Sequence, residues 1–108
     1  MVKEILTAAG VQHTRSHYFT PPADTYAVYF DDVDLDGADR VTAARLPGIY
    51  RHDVSIELYA PALDPTAEAA IEAAMTARGV HWRKEDAYWL QDVQRFQTVY
   101  SFSYTSKT

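Results

Sequence analysis

The sequence predicts an α+β domain, a mainly antiparallel sheet of four to five strands covered on one face by two helices. Three stretches predict it. From Ile49 to Leu58 the side chains alternate, with Tyr50, His52, Val54, Ile56 and Leu58 on one side and Arg51, Asp53, Ser55 and Glu57 on the other. Strand side chains point to opposite faces in turn, so this is a strand with one dry and one wet side. Next, Ala67, Ala70, Ile71, Ala74 and Met75 recur at helical spacing between Asp64-Pro65 and Gly79. The last is near the end of the chain, where Phe96, Thr98, Tyr100, Phe102 and Tyr104 share one face of a strand from about Gln94 to Tyr104. Strands joined by a short connection pair antiparallel, and helices cover the dry face of such a sheet.

Each element follows from local chemistry. Val2, Ile5, Leu6 and Ala9 make a short helix over 2–9, stopped by Gly10. Val11 to Phe19 is polar and irregular and reads as an edge strand, and Thr20-Pro21-Pro22-Ala23-Asp24 as a loop. Tyr26 to Phe30 is a run of β-formers and reads as a central or near-central strand. Asp31 to Pro47, with five Asp, one Gly and two Arg, reads as a long acidic loop. Ala60-Pro61 ends the organising strand, because proline has no N–H for a ladder. Asp64 is a helix cap and Pro65 a first-turn proline, whose missing N–H had no partner in any case. The alanine-rich stripe lets this helix lie close to its sheet. Val80 to Leu90 reads as another strand with a kink near Glu85-Asp86, and the residues from Ser106 are expected to fray.

A chain of 108 residues fits one domain and can hold a core without staples. It has no Cys, which excludes disulfides, thiolate zinc sites and cysteine nucleophiles. MVKEILTAAG is too short and too polar for a signal peptide or membrane span, so a soluble chain made in the cytoplasm is expected. Fifteen acidic against ten basic side chains give a net charge of −5, which argues against a sequence-independent grip on nucleic acid. Eight Tyr fall mostly in predicted strands, where an apolar ring with a polar tip suits a half-exposed sheet or a protein contact.

Little points to chemistry. Asp32-x-Asp34-x-Asp36-Gly37 copies the opening of a calcium loop, but its twelfth position is Ala43 instead of a bidentate Glu, and no helix precedes it. A solvated acidic loop is the expectation. The histidines at 13, 17, 52 and 81 show no metal-ligand spacing, and His52 reads as a hydrogen-bonded core or interface residue. There is no glycine-rich phosphate loop and no serine in a nucleophile elbow. No catalytic, cofactor or metal residue is assigned.

Four segments together resemble a known family: the loop TPPADTY after a short helix, the strand YAVYFDD, the unit VSIELYAPALDPTAEAAIEAAM, and the aromatic hairpin WRKEDAYWLQDVQRFQTVYSFSY. The chain resembles the small tail-completion proteins of long-tailed bacteriophages and prophages, variously called tail terminator, head–tail joining or minor tail proteins. The resemblance implies an antiparallel sheet flanked by helices. It implies a ring, typically a hexamer, that caps the tail tube and docks against the head connector, in the virion after assembly in the host cytoplasm. DNA would pass through such a ring unbound, and a surplus of acid suits that passage. It implies no catalytic residue, cofactor or membrane contact. The stretch from Asp31 to Pro47 is the expected assembly interface, mobile in the monomer and ordered in the ring, with Asp31, Asp32, Asp34, Asp36, Arg40 and Arg45 as candidate contacts. A small α+β adaptor or protein-binding module outside phage is the alternative, and a calcium-binding protein or enzyme ranks below both.

Overall fold

Val2, Ile5 and Leu6 lie on one stripe of helix α1 (Val2–Ala9) and are fully or almost fully buried. The computed structural model describes residues 1–18, 20–33 and 49–107, apart from the side chains of Ile49 and Lys107. Gly10 stops α1 with φ 73°, and the chain closes in two reversed bonds, Gly10 N–H to the Thr7 carbonyl at 3.1 Å and Val11 N–H to Leu6 at 3.2 Å. Helix α2 (Pro65–Ala77) ends the same way. Gly79, at φ 74°, donates to Thr76 at 3.0 Å, and Val80 donates to Met75 at 3.4 Å. This is the Schellman arrangement, and in both helices the residue beyond the glycine packs on the core.

The strands are β1 (Gln12–Arg15), β2 (Tyr26–Val33), β3 (Ile49–Ala60), β4 (Arg83–Lys84), β5 (Tyr88–Leu90) and β6 (Arg95–Lys107). They form one sheet in the order β1-β2-β3-β6-β4, with β5 on the same flank of β6 as β4. Among the described residues only β1 and β2 run parallel, and every other pair is antiparallel. The α+β architecture is therefore the expected one, with α1 and α2 side by side over one face. Ile5, Leu6, Ile71 and Met75 of the helices meet Val54, Ile56, Leu58, Tyr100 and Phe102 of the sheet in one buried cluster.

The strand count exceeds four to five for an identifiable reason. Arg83 and Lys84 pair with Ser101 and Tyr100, and unbroken register would then place Tyr88 opposite Phe96; it lies opposite Gln97. One extra residue is accommodated between Lys84 and Tyr88, a bulge at the Glu85-Asp86 kink that divides one expected strand into two. The bulge also resets the faces. Lys84 and Trp89, five residues apart, oppose Tyr100 and Phe96, which share the helix-side face.

Three other boundaries move. β1 is only four residues, because Ser16 adopts φ 70° and turns the chain. Asp31, Asp32 and Val33, expected in the acidic loop, are ladder residues of β2, paired with Val54, Asp53 and His52. Ser106 does not fray: β6 continues to Lys107, held by the pairs Tyr50–Ser106 and Ile49–Lys107.

Side-chain bonds join the layers. Asp64 caps α2 by accepting from Ala67 N–H at 3.0 Å, and its second oxygen accepts from the Thr25 hydroxyl at 2.8 Å, fixing the helix start to the entry of β2. Both bonds favour the anion and hold its pKa below the ordinary carboxylate value. Glu72 of α2 accepts from the buried Tyr100 hydroxyl at 2.7 Å and from Lys84 Nζ at 2.9 Å, while Lys84 also meets Glu68 at 2.7 Å. Burial, reinforced by Glu72, pushes the Tyr100 phenol far up. No helix among the described residues is long and apolar enough to cross a membrane.

Candidate functional site

The sheet outruns the two described helices. β3 and β6 have 12 and 13 residues and extend for ~40 Å at about 3.3 Å per residue. The 13 residues of α2 cover only about 20 Å at 1.5 Å each. Val54 to Ala60 and Thr98 to Phe102 bury their helix-side residues, whereas Tyr50, His52, Tyr104 and Ser106 farther along are only half-buried.

A polar network takes over from the core at that end. His52 on β3 lies between Asp31 on β2 and Ser106 on β6, with Nδ1 2.7 Å from an Asp31 carboxylate oxygen and Nε2 2.6 Å from Ser106 Oγ. A carboxylate at Nδ1 keeps the proton of the neutral ring there, so Nε2 accepts from the serine hydroxyl. Tyr104 donates to the other Asp31 oxygen at 3.0 Å and stacks on His52 at 4.3 Å. Burial first, and then Asp31, pushes the Tyr104 phenol up to about 12. The order Asp–His–Ser is that of acyl-transfer triads. Here the three residues come from three adjacent strands and tie those strands together.

Of the six expected interface residues, Asp31 is thus an internal partner of His52 and Tyr104. Asp32 is exposed on the opposite face, directly across from Asp53. Asp34, Asp36, Arg40 and Arg45 lie outside the described residues, as does all of the acidic stretch beyond Val33. His52 is hydrogen-bonded, as its place on the dry face predicts. His13 bonds the Val11 carbonyl at 2.8 Å, and His81 is exposed. Among the described residues no three His, Asp or Glu gather as a metal site.

The face away from the helices carries a second feature that alternation on β3 did not reveal. Tyr26 and Val28 are buried there, on the side of the sheet away from α1 and α2. Tyr26 stacks on Tyr59 at 5.2 Å and makes a T-shaped contact with Tyr18 at 5.4 Å. Leu90 and Val93 complete a groove of about 250 Å³ with Glu57 in its wall. Tyr59 donates to Glu57 at 2.7 Å and accepts from Gln97 at 2.9 Å; burial and that carboxylate push its phenol up to about 12. The available signal was in β2. YAVYF does not alternate, and a strand apolar on both sides is covered on both sides.

The sheet edges are the third feature. β1 pairs only with β2, and β4 and β5 pair only with β6, so each flank ends in a strand with one unpaired side among the described residues. The Ser16 N–H bonds Tyr29 at 2.9 Å, and the two-residue period turns the N–H groups of His13 and Arg15 outward. On the other flank the bulge and the charges of Lys84, Glu85 and Asp86 blunt the edge. No family model matches this chain, and no curated protein matches it.

Proposed function

We propose that this chain is a structural assembly subunit that works through its surfaces, a tail-completion protein forming a ring at the head-proximal end of a phage tail tube. The tube protein and the head connector are its partners, a hexamer is its expected form, and it catalyses no reaction. The observation that carries the reading is the unequal pair of sheet flanks. A ring closes through heterologous contacts, in which one patch meets a different patch on the neighbour. The open β1 edge offers main-chain groups to a neighbour's strand, and the blunted β4–β5 flank discourages pairing like with like. The end of β2, β3 and β6 that α1 and α2 do not reach supplies a further surface. An adaptor with the same fold would offer the same surfaces to a foreign partner, and self-assembly separates the two.

Light scattering and negative-stain imaging of the purified chain, alone and with its tail tube protein, test the reading. Rings, alone or on tube ends, are expected. His13→Pro removes an outward N–H without breaking the β1–β2 ladder, and should abolish rings while leaving the monomer folded. A chain that stays monomeric with tube protein present, on tubes that end without it, would overturn the proposal.

A further inference from the structure

We propose that the groove on the face away from α1 and α2 is a docking site for an arginine side chain carried by a protein partner. This names the chemistry of one contact and rests on the assembly reading only for the partner's identity.

Glu57 carries the argument. It sits mid-strand in β3 with Val28 and Val99 opposite it on the two neighbouring strands. It is half-buried, and its one hydrogen bond among the described residues comes from Tyr59 to Oε1 at 2.7 Å. Oε2 has no partner there, and no described cation lies within ion-pair distance. The cation beside the groove is occupied elsewhere: Arg95 donates to the carbonyls of Gln94 at 2.9 Å, Ala23 at 3.0 Å and Val93 at 3.5 Å. A carboxylate held among apolar side chains calls for a cation with N–H groups to give.

The walls select which cation. Tyr18 and Tyr59, braced by the buried Tyr26, offer aromatic surface, and Leu90 and Val93 offer an apolar strip for an aliphatic stem. Guanidinium is planar, stacks on aromatic rings and places donors in its own plane, so one group can lie on a ring and reach Oε2. Ammonium has no plane to stack and remains more strongly hydrated, and a quaternary ammonium would leave Oε2 without a donor. Gln97 donates to the Tyr59 oxygen at 2.9 Å, which holds the tyrosine proton on Oε1 of Glu57, a residue of the groove wall, and leaves Oε2 to a ligand.

N-acetyl-arginine amide and N-acetyl-lysine amide, titrated separately into the whole chain and followed by tyrosine ring NMR, form the test. Saturable shifts of the Tyr18, Tyr26 and Tyr59 rings are expected with the arginine compound, with clearly weaker binding of the lysine compound. Glu57→Gln keeps the shape and an acceptor for Tyr59, and should weaken arginine binding by about tenfold with unfolding temperature little changed. Equal binding of both compounds, absence of tyrosine shifts, or unchanged affinity in Glu57→Gln would overturn the proposal. Arginine binding by a chain that never assembles would keep the groove and remove the ring. Rings on tube ends without arginine binding would do the reverse.

Discussion

His52 and Tyr104 face each other across β3 and β6, their rings stacked at 4.3 Å and 13°, and both bond the one carboxylate of Asp31. The side chains of His52 and Asp31 are only 14% and 18% exposed, so water cannot readily replace either partner. His52→Phe preserves the stack and removes both ring-nitrogen bonds, leaving an Asp31 oxygen and Ser106 unpaired. The expected loss is about 1–3 kcal/mol, the cost of stranding a half-buried polar group. Urea unfolding should show a lower midpoint with an unchanged slope. An unmoved midpoint would mean that water satisfies this end of the sheet.

Gly79 separates backbone strain from crowding. A Cβ there would meet nothing within 4 Å, yet φ is +74°. Gly79→Ala should therefore cost roughly 1–2 kcal/mol, the penalty of the left-handed region for an L side chain. Gly79→Asn should cost less, because asparagine tolerates that region. Thermal unfolding of the three proteins should rank them Gly, Asn, Ala. Equal losses for Asn and Ala would point to a clash and not to φ.

The helices and β3 were legible because each carries one period over many residues and ends in a residue whose backbone chemistry stops it, Gly10, Ala60-Pro61 or Gly79. The kink at Glu85-Asp86 was legible too, but its consequence was not. That a bulge turns one strand into two, and keeps Lys84 on the side of Glu68 and Glu72, depends on register against β6, and a single strand's sequence does not contain its register. The Asp31–His52–Ser106 network was hidden for the same reason. Its members are 21 and 54 positions apart, and they meet only because three strands align. Asp31 looked like loop because aspartate is a poor strand former, and pairing with Val54 and bonding to His52 override that preference. Alternation puts Glu57 on the expected wet side of β3, yet it is half-buried, because the groove it shares with Tyr18, Leu90 and Val93 is built from outside its strand.

Asp64 predicts an acid-side loss of stability. The Ala67 N–H, and after it the Thr25 hydroxyl, lower its pKa from the ordinary 3.8, against an opposing push from burial. A carboxyl with a depressed folded pKa contributes fully above its unfolded value, and the contribution disappears as pH falls through the folded value. Asp64→Asn keeps an acceptor for Ala67 and should flatten the stability profile below about pH 4. Asp64→Ala loses the cap as well and should cost about 1 kcal/mol at neutral pH. Unfolding midpoints measured across pH 2–7, a range set by the ordinary carboxylate values, distinguish the two. Parallel profiles for wild type and Asp64→Asn would exclude this carboxyl as the source.

Asp32 and Asp53 lie directly opposite on the face away from α1 and α2, an unfavourable pairing on a ladder. The Ser103 hydroxyl, donating at 2.7 Å, lowers the pKa of Asp53 against an opposing push from burial, and Arg51 at 3.3 Å assists. Asp53 is therefore charged at neutral pH, and Asp32 faces it with no ion pair among the described residues. Asp32→Asn should raise the unfolding temperature, and the gain should shrink as added salt shortens the Debye length from about 10 Å at 0.1 M to about 3 Å at 1 M. A salt-independent gain would mean strand propensity and not repulsion. Asp32 is also a candidate assembly contact, and there the sign reverses. If a neighbour's cation meets this exposed pair in a ring, Asp32→Asn stabilises the monomer while weakening the assembly. A substitution that raises the unfolding temperature of the free chain and leaves ring formation untouched would remove Asp32 from the interface.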